Sequence, residues 1–231
     1  MQIPSNTLIG RDFRPISGWT FLLFGAVLVV AAAGAVFVLR GMLLGDQDKL
    51  LVIGVLYAVG LFSIAVAVAP MGRAALPALA IRGANWRPVF FGILGTLALS
   101  IGASQIGPEL KGMEEVQDLV RQPGALVASL LFLGVLAPLV EELVFRGLLY
   151  GWLEGRWGWR LAFVVSSLVF ALAHYQWQAT GWSRLAYAAA VLPLGLLFGY
   201  LRRRTNSLLP SFAAHVANNS FAVLAAAFLD T

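Results

Sequence analysis

The sequence predicts an all-α, polytopic integral membrane bundle of about seven transmembrane helices. Three observations predict it. The 231-residue chain is 60% hydrophobic and only 12% charged, where ordinary globular chains carry about 25% charge, so polar groups cannot cover a water-facing surface and a soluble enzyme is excluded. The apolar residues gather into seven long stretches, near 17–39, 50–70, 89–107, 125–153, 159–179, 185–201 and 208–229, most of them close to the roughly 20 residues that cross a bilayer. All seven tryptophans stand at or near the ends of these stretches, as an interfacial aromatic belt requires.

The first stretch follows a polar start holding Arg11 and Arg14 and is too long for a signal-peptide core, so it is read as a retained anchor. The second leads into 71–88, an amphipathic segment broken by Pro77 and Pro88 and expected along the inner interface. The third is followed by 108–124, whose Glu109, Glu114, Glu115 and Asp118 mark a solvated outer loop or short helix. The fourth is long enough to tilt and the sixth is short. Two spacings, Gly147-x-x-x-Gly151 and Gly195-x-x-x-Gly199, are read as close helix packing. No repeat or linker divides the chain, so one membrane domain is expected over 1–231, with a catalytic core at about 125–229.

With the N-terminus inside, the inner segments hold Arg11, Arg14, Arg73, Arg82, Arg87, Arg146, Arg156, Arg160 and Arg202 to Arg204. The outer ones hold only Arg40, Lys49, Lys111, Arg121 and Arg184. This asymmetry predicts a cytoplasmic N-terminus in a cell membrane. It accounts for the +5 net charge without nucleic acid. Arg202-Arg203-Arg204 is read as the positive-inside anchor of the short span, with anionic-lipid contact second. The absence of cysteine excludes disulfides, thiolate ligands and a cysteine nucleophile.

Ionisable residues inside a span cost about 2.5–3.5 kcal/mol each on insertion scales and are functional candidates by default. Glu141 and Glu142 follow the apolar run 130–140 and precede Gly147 to Leu153. Glu142 and Arg146, four apart, share a helical face and can pair. Glu141 lies about 100° around the helix, with Phe145 and Ala137 at i+4 and i−4. A carboxylate with no basic neighbour on its own helix suits a general base; the competing reading is that the acids mark a span end. His174, after Phe170-Ala171-Leu172-Ala173, suits either an interface or a site. His215 and Asn219 are one turn apart in the last span and could donate together to an oxyanion, or act as polar glue between helices. These are the only two histidines. Counted at about 1.5 Å per residue from the inner ends, Glu141, His174 and His215 lie about 18, 22 and 11 Å deep, so three helices can bring them to one cavity.

Glu141-Glu142-x-x-x-Arg146, then Phe170-x-x-x-His174, then His215-x-x-x-Asn219, in this order on successive helices, resembles the CPBP family. These are the CAAX-protease and bacteriocin-processing (Abi-like) intramembrane proteases, which include the type II CAAX prenyl endopeptidases. The resemblance covers roughly 125–229; residues 1–124 match only as hydrophobic helices, and some members have more spans. It implies an all-helical enzyme that hydrolyses peptide bonds near or within the bilayer. The substrate would be a membrane-anchored peptide or protein, with or without a lipid. Glu141 would be the base, His174 the residue that holds the water with it, and His215 and Asn219 the oxyanion pair. Glu142 and Arg146 would support them. Members have been described both as metalloproteases and as glutamate-dependent enzymes. Zinc usually takes three protein ligands and a water; Glu141, His174 and His215 could supply them, but only Glu142 would then remain as a base. No HExxH pair is present, and the metal-free reading is favoured, with no cofactor. The rival readings are a non-catalytic scaffold or bacteriocin-immunity protein of the same fold, and a proton-relaying transporter.

Overall fold

Lipid offers no partner for backbone N–H and C=O groups, so apolar runs of this length satisfy them internally as helices. In the computed structural model, which describes residues 16–40, 48–106, 117–122, 124–175 and 183–228, no strand is present among the described residues. Helix α1 is Gly18–Arg40 and α2 Lys49–Val68, followed by a 3-10 stretch, Ala69–Ala74, and a single turn, α3, Ala75–Ala78. Helix α4 is Trp86–Ile106 and α5 Ala125–Trp157. Helices α6, Trp159–Ala173, α7, Ser183–Thr205, and α8, Leu209–Phe228, complete the bundle. The chain is a multi-pass membrane protein.

Helices stand at all seven predicted places, but among the described residues five spans are long and apolar enough to cross a membrane by length and composition: those at α1, α2 with α3, α4, α5 and α7. At 15 residues α6 is short, about 22 Å at the helical rise. Helix α8 spends its 20 residues partly on Ser211, His215, Asn218, Asn219 and Ser220. The first 15 residues, the stretch 107–116, Trp177, Trp182 and the side chains of Arg40, Lys49 and Arg184 lie outside the described residues.

Two sequence expectations are corrected. Pro88 does not break the 71–88 segment; it sits in the first turn of α4, where its missing N–H costs nothing. Nor does the segment lie wholly along the interface. Ala78, Leu79 and Ala80 are buried in the same cluster as Ile16, Phe24, Ile64, Val140 and Leu148. A Cβ on Gly147 would come within 3.0 Å of Leu79, and one on Gly151 within 3.1 Å of Ile16. These glycines admit the returning chain. Trp152 is half-buried and stacks on Phe21 at 5.2 Å, whereas Trp19, Trp86, Trp157 and Trp159 are exposed.

Helix α6 packs on α7 through the second glycine pair, and α8 packs on α4, α5 and α7. A Cβ on Gly195 would meet the Ser167 carbonyl and Phe170 at 3.1 Å; one on Gly199 would meet Ser167 Oγ at 2.9 Å and Phe163 at 3.1 Å. The backbone carbonyl cannot give way as a side chain can. Gly195→Ala is therefore expected to destabilise by about 1–3 kcal/mol, the cost of overpacking, read as a lower midpoint in thermal unfolding in detergent. Gly25→Ala, whose Cβ would meet nothing within 4 Å, is the control and should melt with the wild type.

Helix α5 is not uniform. Wide π turns at Leu130–Leu136 and Leu143–Leu149 flank the α-helical Ala137–Glu142. Such turns recur at functional sites because they release backbone groups and re-aim side chains. The segment between them carries both glutamates.

Candidate active site

The site is built around one buried ion pair. Glu142 and Arg146 are fully buried and meet as predicted, Oε1 to Nη1 at 3.4 Å. Two charges out of water are costly unless their remaining valences are met. The Arg146 guanidinium lies 4.1 Å from the centroid of Phe170 and 5.4 Å from that of Phe198. Its Nη2 donates to the Gly195 carbonyl at 3.0 Å, where Ser167 Oγ also donates at 3.0 Å. Helices α5, α6 and α7 are thereby joined at one carbonyl.

Glu142 has a second task. Its Oε1 lies 3.2 Å from His215 Nδ1, and an ionised carboxylate only accepts, so Nδ1 carries a proton and donates. The His215 ring is held by stacking on Phe198 at 4.7 Å, with the edge of Phe170 at 5.6 Å. Nε2 is thus aimed at Glu141, 3.6 Å from Oε2. His174 arrives from the end of α6. Its Nδ1 lies 2.8 Å from the Phe170 carbonyl, which can only accept, so Nδ1–H donates there. Nε2 faces Glu141 Oε2 at 3.9 Å.

Glu141 Oε2 is buried and has no hydrogen-bond partner in the protein. A neutral His174 with its proton on Nδ1 presents an Nε2 lone pair toward that oxygen. Two acceptors across this distance need a proton donor between them. Both imidazoles approach the same carboxylate oxygen, yet among the described residues no group of three or more His, Asp or Glu is disposed to hold a metal ion.

Asn219 makes contacts on both sides of its amide. It is one turn beyond His215; its Nδ2 donates to the Leu133 carbonyl at 3.1 Å, and its Oδ1 accepts from Asn218 Nδ2 at 3.2 Å. Arg202 is a correction. It is buried rather than an interfacial anchor, with Nε donating to the Arg146 carbonyl at 3.2 Å and Nη1 to Asn206 Oδ1 at 2.9 Å. Its Nη2 is 4.0 Å from Glu154. Arg203 and Arg204 remain exposed at the helix end. Sequence reasoning missed Ser167, Arg202 and Asn218 as parts of this network. An arginine heading a run of three, and a second Asn beside Asn219, were the only signals for the last two.

Residues 123–221 match a family model described as type II CAAX prenyl endopeptidase Rce1-like. The matched segment is less than half of the chain. It contains Glu141, Glu142, Arg146, His174, His215 and Asn219, the residues on which the resemblance to the CPBP family rests. The chain is 33% identical over 99 residues to "UPF0177 protein YxdF" of Lactococcus lactis, covering 43% of this chain and 50% of that protein. It is 24% identical over 119 residues to "Putative membrane peptidase YdiL" of Bacillus subtilis, covering 52% and 44%. It is 31% identical over 100 residues to an "Uncharacterized 24.3 kDa protein" of Escherichia coli, covering 42% and 44%. The matches thus span about half the length of these curated relatives. No solved structure matches the chain. The matched segment begins at the start of α5, so α1 to α4 lie outside it.

Proposed function

We propose that the protein is an intramembrane endopeptidase that hydrolyses a peptide bond near the C-terminus or juxtamembrane region of a membrane-associated substrate. The observation that carries this reading is the unpartnered Oε2 of Glu141 facing the Nε2 atoms of His174 and His215. A water there would donate one proton to Glu141 and one to His174, leaving an oxygen lone pair for the substrate carbonyl. As the O–C bond forms, Glu141 takes the water proton. As the C–N bond breaks, the same carboxyl returns it to the leaving amine, so the base ends unchanged.

The carbonyl oxygen gains charge in between, and His215 and Asn219 would receive it. Because His215 spends Nδ1–H on Glu142, donation from Nε2 requires the doubly protonated ring, which sits between Glu141 and Glu142. Asn219 has a second N–H beyond the one given to Leu133. One such donor is worth about 10²–10³ in rate. Asn219→Ala is expected to lower kcat by that factor and leave measurable turnover of a liposome-anchored peptide library. Full activity of this variant would remove Asn219 from the reaction.

Water activation without metal is the favoured chemistry. A zinc held by Glu141, His174 and His215 would need Glu142 as the separate base, and Glu142 is already committed to Arg146 and His215 Nδ1. The arginine asymmetry supports a cytoplasmic N-terminus in the cell membrane, and the substrate is taken to approach from the bilayer, with or without a lipid attached.

A further inference from the structure

The amide of Asn219 is held at both ends, and the polarity of that hold traces back to a proline. In the π turn, Ala137 N–H bonds to the Phe132 carbonyl, five residues back. The next bond in this register would run from residue 138 to the Leu133 carbonyl. Residue 138 is Pro, which has no N–H, so the Leu133 carbonyl is released from the helix ladder.

Asn219 Nδ2 occupies that carbonyl at 3.1 Å. A carbonyl only accepts, so Asn219 cannot present its oxygen there without leaving two acceptors in contact. Its Oδ1 must then face Asn218, which donates through Nδ2 at 3.2 Å. Asn218 Oδ1 is in turn left facing Ser100, whose hydroxyl donates to it. Each amide would otherwise be free to flip; here the order of donors and acceptors is fixed from Leu133 outward. All three side chains are half-buried, and Ser100 stands on α4, outside the matched segment.

We infer that Ser100 and Asn218 are positioning residues that lock the Asn219 carboxamide in the orientation that leaves one N–H for the substrate oxyanion, with Pro138 setting the direction of the relay. The inference rests on the proposed oxyanion role of Asn219. It also gives α4 a part in the site: the packing of α8 on α4 carries the Ser100 contact.

The test uses the full chain in liposomes, with a membrane-anchored, quenched-fluorescent peptide library as probe. Asn218→Leu is expected to lower kcat about tenfold to a hundredfold, the cost of a misaligned group, with KM within twofold. Ser100→Ala should lower kcat severalfold, and Ser100→Thr, which keeps the hydroxyl, should restore it. In an Asn219→Ala background, neither Asn218→Leu nor Ser100→Ala should cost more than about twofold, because coupled residues do not add. Equal losses in both backgrounds, or a loss confined to KM, would overturn the inference.

A second measurement does not depend on turnover. With asparagine side chains labelled with ¹⁵N, the Asn219 carboxamide protons should exchange slowly in the wild type and faster in Ser100→Ala and Asn218→Leu. Unchanged exchange in both variants overturns the relay even if the library is not cleaved. A fully active Asn219→Ala instead removes the oxyanion reading alone, so the two failures are distinguishable. Ser100→Ala deletes one hydroxyl and keeps the test available if Asn218→Leu does not fold.

Discussion

Glu141→Gln is expected to lower kcat on a membrane-anchored peptide library by about 10⁴-fold, the upper end of what a positioned acid–base group supplies. The substitution is nearly isosteric and removes the charge without removing the side chain, so the protein should remain folded. Glu141 Oε2 has no hydrogen-bond partner and lies 3.6 and 3.9 Å from the two imidazoles, so its replacement by an amide removes no hydrogen bond between the helices. The unfolding midpoint should therefore stay within a degree or two of the wild type or rise, as happens where a site gives up strain for function. Loss of turnover with unchanged stability places Glu141 in the chemistry. Loss of both would make it a structural residue.

The same assay run with a strong chelator decides between the two water-activating chemistries. Wild-type activity is expected to survive it. Loss restored by added zinc would instead make Glu141, His174 and His215 metal ligands, and the base would have to be sought elsewhere. No cleavage by any form, with folded protein in every arm, would favour the scaffold reading.

Much of this site was legible because helical spacing is arithmetic. Four residues separate Glu142 from Arg146 and His215 from Asn219, and 3.6 residues per turn puts each pair on one face. The helices themselves were legible from apolar run length, since the bilayer sets a minimum. What spacing cannot give is which faces meet. The contact of Glu142 with His215 joins residues 73 apart in sequence, and the packing of α8 on α5 decides it. Arg202 was misread because a run of three arginines at a span end ordinarily lies in the headgroup region. Here α7 continues to Thr205, which carries the first of the three back against Glu154 and Tyr150. The role of Pro138 was present in the sequence, but its consequence depends on a π register that composition does not announce. The roles of Gly147 and Gly151 likewise depended on the partner. The spacing predicted close approach, but the element received is a returning segment rather than another span.

Arg146→Met is expected to be the most destabilising single change in the molecule. It keeps the aliphatic volume beside Phe170 and Phe198 while deleting the charge that faces Glu142 and one of the two donors at the Gly195 carbonyl. Breaking a buried pair from one side costs about 3–5 kcal/mol, because the partner charge stays buried without compensation. For a chain of this size that is roughly 6–20 °C in Tm, readable from the fluorescence of the seven tryptophans in detergent. A variant melting at the wild-type temperature would show that the pair contributes nothing to the fold. The paired substitution Glu142→Leu with Arg146→Met removes both charges, and replacing a buried pair by apolar residues of similar volume is often neutral or stabilising. Most of the lost Tm should return. Turnover should not, because His215 Nδ1 loses the carboxylate that orients the ring and aims Nε2 at Glu141. If the double variant recovers both stability and activity, Glu142 holds the fold and has no part in orienting His215. If it recovers stability alone, the charged pair is kept in the bilayer to hold His215 in place, and the fold itself does not require it.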